Sequence, residues 1–132
     1  MRGLVIMVFK GIFVATYNND SSPEELGLLL TMELQTLIEK YKLTTLIDMC
    51  DEYLNHSQPT HDFFNYLFLS TTYNDMRSVY EHCHSAEFSY TINLDRDLFL
   101  CQDANYNIIG YSTITSMSTD WLEKYQDIKA VI

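Results

Sequence analysis

The sequence predicts a single α+β domain over residues 1–132, and three observations carry that prediction. Apolar residues recur at spacings of three and four from Leu26 to Leu54, then alternate with polar ones from Phe88 onward. The elements run as an N-terminal β-hairpin, central helices, a C-terminal antiparallel β-meander and a short terminal helix, an order that segregates strands from helices. With 47% hydrophobic and 14% aromatic residues in 132, the chain is rich enough to enclose one core and too apolar to stay disordered.

Val5 to Phe9 and Phe13 to Tyr17 are short β-prone runs joined by Lys10-Gly11-Ile12, where the glycine supplies the positive φ of a tight turn. A helix is expected next. Ser22 caps it, Pro23 takes the first helical position, and Glu25 stands at capping-box spacing from Ser22. Its stripe runs through Leu26, Leu29, Leu30, Leu34, Leu37, Ile38 and Tyr41, which makes it the central, best-buried helix. A second helix carries Leu43, Leu46, Ile47, Cys50, Tyr53 and Leu54, and Asn55 to Thr60, with Pro59, forms a loop.

Asp62 to Leu69 reads as helical, as does the segment from Asn74 or Asp75 to Cys83, with Ser70 to Asn74 a break or irregular turn between them. Phe88 to Leu94 is the clearest strand. Asp95-Arg96-Asp97 turns into a strand at Leu98 to Cys101, Asp103 to Asn107 turns again, and Ile108 to Thr113 is the last strand of the meander. Ser118 to Asp120 opens the terminal helix, with Asp120 and Glu123 at capping-box spacing and Trp121, Leu122 and Tyr125 on its apolar side.

A net charge of −10 arises less from abundant acids than from only eight Lys and Arg. Such a surface repels phosphate backbones and anionic lipid, so the expectation is no direct nucleic-acid binding, no membrane binding, and a protein partner with a basic surface. The carboxylates Asp48, Asp51 and Glu52, with Asp95 and Asp97, form the candidate acidic face. Tyr66, Tyr73, Tyr80, Tyr106 and Tyr111 cannot all fit in a small core, and exposed tyrosine beside acids suits a protein-binding face. Three cysteines, an odd count with no CxxC, point to core thiols in a reducing, cytoplasmic setting. Lys10 and Gly11 interrupt the apolar start, and no apolar run reaches the length of a membrane span.

Catalytic signatures are missing: there is no GxSxG, no GxxxxGK[ST] and no GxGxxG. His82-Cys83-His84 carries metal-binding residue types, but neighbours on a helix diverge and no second motif completes a site, so no metal and no cofactor are expected. Asp95 and Asp97 flank Arg96 as a solvated turn rather than an acid and base pair. The polar stretch Tyr17, Asn18, Asn19, Asp20 and Ser21 exceeds what a helix cap requires and is the candidate binding loop, with Asx-turn chemistry as the rival account.

Three segments, "RGL" at Arg2 to Leu4, "YNNDSSPEELG" at Tyr17 to Gly27 and "YTINLD" at Tyr90 to Asp95, resemble a family of small, uncharacterised proteins of bacteriophages, bacteria and fungi. In that family an Arg-Gly-Leu/Phe start leads through a hairpin into Tyr-Asn-His-x-Asp-Ser-Tyr-Pro-x-Gly-Leu-Gly, and a later strand reads Tyr-x-Ile-Asp-Leu-Asp. Here one residue is missing after Asn19, Asn19 stands in place of His, Glu25 in place of Gly, and Asn93 in place of Asp. Chemistry that rests on that histidine would be lost. The resemblance implies a polar loop at Tyr17, Asn18, Asp20 and Ser21 but no established activity.

Two functions follow as expectations. One is a non-enzymatic protein-binding module, an inhibitor or modulator of the phage or mobile-element type, acting on a basic host protein. The other is a small enzyme or ligand-binding domain using the loop Asn18–Ser21, where a carboxylate beside amide and hydroxyl groups can orient a polar ligand.

Overall fold

The computed structural model describes residues 3–18, 22–56, 72–73 and 86–131. Its strands are β1 (Gly3–Phe9), β2 (Ile12–Asn18), β3 (Thr72–Tyr73), β4 (Phe88–Asn93), β5 (Leu98–Asp103) and β6 (Ile108–Ser112). The described helices are α1 (Leu28–Lys40), entered through a π-helical turn at Pro23–Gly27, α2 (Leu43–His56) and α3 (Asp120–Val131). The fold is α+β, as the segregated order of elements predicts.

The strands form one sheet in the order β3-β2-β1-β4-β5-β6. The hairpin β1–β2 closes through Lys10 and Gly11, both with positive φ, so the turn is of the mirror-image kind that matches strand twist. The meander β4–β5–β6 is antiparallel throughout. What joins the two halves is a parallel pairing of β1 with β4, in register from Gly3 opposite Phe88 to Val8 opposite Asn93. β1 is thus a central strand, and every one of its residues is buried. Parallel strands covered on both faces read as unbroken apolar runs, and Leu4 to Phe9 is such a run.

Side chains alternate between the faces. Val5, Met7 and Phe9 join Tyr90, Ile92, Phe99 and Cys101 beneath Leu30, Leu34 and Leu37 of α1 and Leu46 and Cys50 of α2. Leu4, Ile6, Val8 and Ala15 form a second cluster on the opposite face, with Phe13 and Ala86 against it. Each fully buried Leu or Phe contributes about 1.5–3 kcal/mol of transfer free energy.

Trp121 fixes α3 onto this framework. Its indole lies 5.4 Å, centroid to centroid, from the Phe99 ring, which in turn stacks at 6.3 Å with Tyr90. The ring fits because glycines face it on two sides: a Cβ at Gly27 would stand 2.8 Å from Trp121 Cη2, and one at Gly110 would come closer still to Cε3. Trp121 Nε1 donates to Thr31 Oγ1 at 3.0 Å, and that hydroxyl donates to the Gly27 carbonyl at 2.8 Å. A buried indole N–H is therefore satisfied, and helix, turn and sheet meet at one side chain.

Several local expectations change. Neither capping box forms as read: Ser22 makes no side-chain cap bond, and its carbonyl instead accepts from the amides of Glu25, Leu26 and Gly27, a wide turn that Pro23 begins. At α3 the Thr119 carbonyl accepts from Leu122 and Glu123, which leaves Asp120 inside the helix rather than capping it. Leu29 is exposed rather than part of the buried stripe of α1. Thr72–Tyr73, expected as an irregular turn, pairs antiparallel with β2 as a two-residue edge strand, and α2 runs on to His56, into the expected loop. The helices expected at Asp62 to Leu69 and up to Cys83 lie outside the described residues. No helix among the described residues is long and apolar enough to cross a membrane.

Gly110→Ala should lower stability by about 1–3 kcal/mol through overpacking against the indole. Trp121→Ala should lower it by about 3–5 kcal/mol. Both values are read from urea midpoints at unchanged m. A wild-type midpoint for Gly110→Ala would show that the indole is free to move aside.

Candidate functional site

The predicted acidic residues divide into two groups in space, and one of them converges. Asp95, just after β4, turns its carboxylate onto the β1–β2 turn: Oδ1 accepts from the Lys10 amide at 2.7 Å and Oδ2 from the Gly11 amide at 2.9 Å. The turn has no partner for these two amides within its own strands, so the carboxylate does for it what a helix cap does for a helix end. The adjacent Leu94 amide donates to the Val8 carbonyl at 2.9 Å, continuing the parallel pairing to its last residue.

From the other side, α2 brings Asp51 and Asp48 to the same turn. Lys10 Nζ donates to Asp51 Oδ2 at 2.9 Å and lies 3.9 Å from Asp48 Oδ1. The bond to Asp51 raises the lysine pKa above its ordinary value; desolvation opposes it, and the charges of Asp51 and then Asp48 add to the rise. Asp48 remains largely exposed, with 76% of its side-chain surface open to water, and Glu52 is exposed beside it. Two carboxylates of α2 thus face the Lys10 ammonium while a third, Asp95, holds the backbone amides of the same turn, and the end of the sheet keeps a negative excess.

Asp97 belongs elsewhere. It sits at a positive φ and accepts at Oδ1 from the Thr115 amide at 2.9 Å and at Oδ2 from the Thr115 hydroxyl at 2.5 Å. It therefore ties the β4–β5 turn to the segment after β6. Asp95 and Asp97 do not share a site. Both stand in a solvated turn, as read, and their carboxylates in addition clamp distant parts of the chain.

A further acidic turn explains itself in the same way. Asp103 accepts from the backbone amides of Asn105 and Asn107, both at 2.9 Å, and from the Asn107 side chain at 3.2 Å. Slight burial works against its charge, but the bonds from Asn107 and Asn105 outweigh it and hold its pKa below the ordinary carboxylate value. Tyr106 at positive φ completes this loop and is exposed.

Of the tyrosines, Tyr106 and Tyr111 are exposed, whereas Tyr90 is wholly buried. Tyr66 and Tyr80 lie outside the described residues, as do Asn19, Asp20 and Ser21 of the polar loop and the His82-Cys83-His84 run. Tyr17 and Asn18 close β2, paired with Leu4 and Gly3. Among the described residues no three His, Cys, Asp or Glu side chains are grouped to hold a metal ion.

The described thiols lack the makings of nucleophiles. Burial pushes the Cys50 thiol far up, Asp51 adds to the shift, and its sulfur lies 3.4 Å from Met7 Sδ. Burial pushes Cys101 up to about 12, against a hydrogen bond with Tyr90 that lowers it. Reactive cysteines need a depressed pKa and access, and these have neither.

What the sequence could not show is the role of Lys10. Its isolation in an acidic chain next to the turn glycine was the available signal, and Asp48 and Asp51 answer its ammonium while Asp95 answers its amide.

Replacing Asp95 with Ala should cost about 1–3 kcal/mol, because two turn amides lose a charged acceptor. Asp95→Asn, which retains one acceptor oxygen, should cost less, and equal losses in urea unfolding would contradict this ordering. In a Cys83→Ser background, a thiol reagent at mildly alkaline pH should find no reactive group until the protein is unfolded, then two. Fast labelling of the native protein would contradict the burial of Cys50 and Cys101. No known protein family, no curated protein and no solved structure matches this chain.

Proposed function

We propose that this protein is a small acidic binding module without a catalytic role, an inhibitor or modulator of the phage or mobile-element type that docks on a basic surface of another protein in the cytoplasm. One observation carries the reading. Asp48, Asp51 and Asp95 are gathered from α2 and the end of β4 onto one rigid turn, with Glu52 exposed alongside, and a lone lysine among them. The bonds that position the carboxylates also lower the entropy they would lose on meeting a cationic partner.

Electrostatics of this kind acts first on encounter. A surface of net charge −10 attracts a basic patch over about the 8 Å Debye length of physiological salt and speeds association by steering. Asp48 has the weakest internal bond of the set, at 3.9 Å from Lys10 Nζ, so it is the carboxylate most available to a partner.

Affinity capture from a host lysate at low salt should retain a stoichiometric basic protein that is released as salt rises. The double variant Asp48→Lys/Glu52→Lys should lose it by about tenfold or more while keeping the wild-type circular dichroism spectrum. Retention of the same partner by that variant would move the binding surface away from this end of the sheet.

A further inference from the structure

Among the described residues no strand pairs with the outer edge of β6, and that edge differs from the rest of the surface in having no charge. No charged residue occurs between Asp103 and Asp120, a stretch that includes all of β6, although charged residues make up 20% of the chain. Natural edge strands are usually guarded by lysine, proline or inward-pointing charge, because an unguarded edge offers its free amides and carbonyls to any other strand. Here no lysine, proline or charge stands in β6, and a single bulge is its only guard. Ile108 and Tyr111 are instead exposed at 60% and 70%, and Ile128 of α3 at 61%.

These side chains border a groove of about 470 Å³ between β6 and α3, with Ser112, Asp120 and Lys124 on its other walls. Asp120 and Lys124 stand four residues apart on α3, yet they form no ion pair with each other, and both are exposed. The groove thus offers an apolar floor, one acid and one base. A two-fold axis through such a surface sets each acid against the partner's base and each base against the partner's acid.

We propose that the occupant of this edge is a second copy of the same chain, with β6 pairing antiparallel to β6 across a two-fold axis and Asp120 facing Lys124 of the other copy. The sheet then continues through the dimer. A basic foreign strand would suit the acidic end of the sheet, but it finds little to recognise at an edge without charge. The converse holds for self-association. β6 itself adds no charge to the contact, and on α3 the acids Asp120, Glu123 and Asp127 are offset in part by Lys124 and Lys129, so the repulsion between copies at this edge is smaller than the net charge of −10 implies.

The register of β6 limits the strength of the contact. Its pairing to β5 shifts between Cys101 and Gln102, a bulge at Ile109 that leaves Gly110 to Ser112 as the regular part of the edge. Backbone bonds alone would be few, so the apolar groove must contribute most of the association. The dimer should be reversible and concentration-dependent.

Sedimentation equilibrium on the full chain, from micromolar to near-millimolar concentration, tests this directly. The expected result is a single reversible equilibrium between 15.5 kDa and twice that mass. Ile108→Lys and Tyr111→Lys replace exposed side chains and should keep the wild-type melting temperature while weakening the dimer at least tenfold. Lys124→Asp should weaken it, and Asp120→Lys combined with Lys124→Asp should restore it, because the swapped pair is again self-complementary. A wild-type protein that stays monomeric throughout, or a dimer indifferent to the lysine variants, would overturn the proposal. Failure of the double swap to restore dimerisation would overturn the two-fold pairing of Asp120 with Lys124.

Discussion

The structure depends on the parallel pairing of β1 with β4. Without it there would be two three-stranded pieces, β3-β2-β1 and the meander β4-β5-β6, each with a long exposed edge where β1 or β4 now pairs. With it, β1 becomes a central strand, and the helices α1 and α2 have a single continuous surface to cover. The pairing links residues more than eighty positions apart, so its loop-closure entropy is large and must be offset by many cooperating contacts. The carboxylate of Asp95 sits where that pairing ends, and it holds the turn of one half from the end of a strand of the other.

That arrangement links stability to charge. Asp95 works for the fold, Asp51 is shared between Lys10 and the surface, and Asp48 faces mostly outward. Acidic residues at one end of a sheet can therefore be structural and still leave a negative field for a partner. Surface ion pairs such as Lys10 with Asp51 contribute little each, about 0–1 kcal/mol, whereas the amide bonds to Asp95 close groups that would otherwise lack acceptors. The second tie, Trp121 between Gly27 and Gly110, plays the same part for α3 with packing in place of charge.

Much of this was legible in the sequence. The hairpin, the meander, the stripe of Leu30, Leu34 and Leu37, and the terminal helix at Trp121 all follow from periodicity and turn chemistry, which are local. The parallel pairing was not read, although Leu4 to Phe9 carried its signal in lacking any polar alternation. Asp95 and Asp97 were legible as turn residues but not as clamps, since their partners Lys10, Gly11 and Thr115 lie far along the chain. The two capping boxes failed because a backbone carbonyl, at Ser22 and at Thr119, reached the same amides first. Gly27 and Gly110 gave no sequence signal that a tryptophan would lie against them. Composition alone left some of the tyrosines to the surface without saying which, and the fold shows Tyr106 and Tyr111 exposed, with Tyr111 on the β6 edge beside α3.

Hydrogen exchange of the native protein tests the central pairing most directly. If β1 and β4 join the hairpin and meander into one unit, the amides of Val5 to Val8 and of Tyr90 to Leu94 should be the slowest in the chain and should open together, with a free energy equal to that of global unfolding. A hairpin that exchanges at a distinctly lower free energy than β4 and β5 would show two separately opening halves and contradict the account.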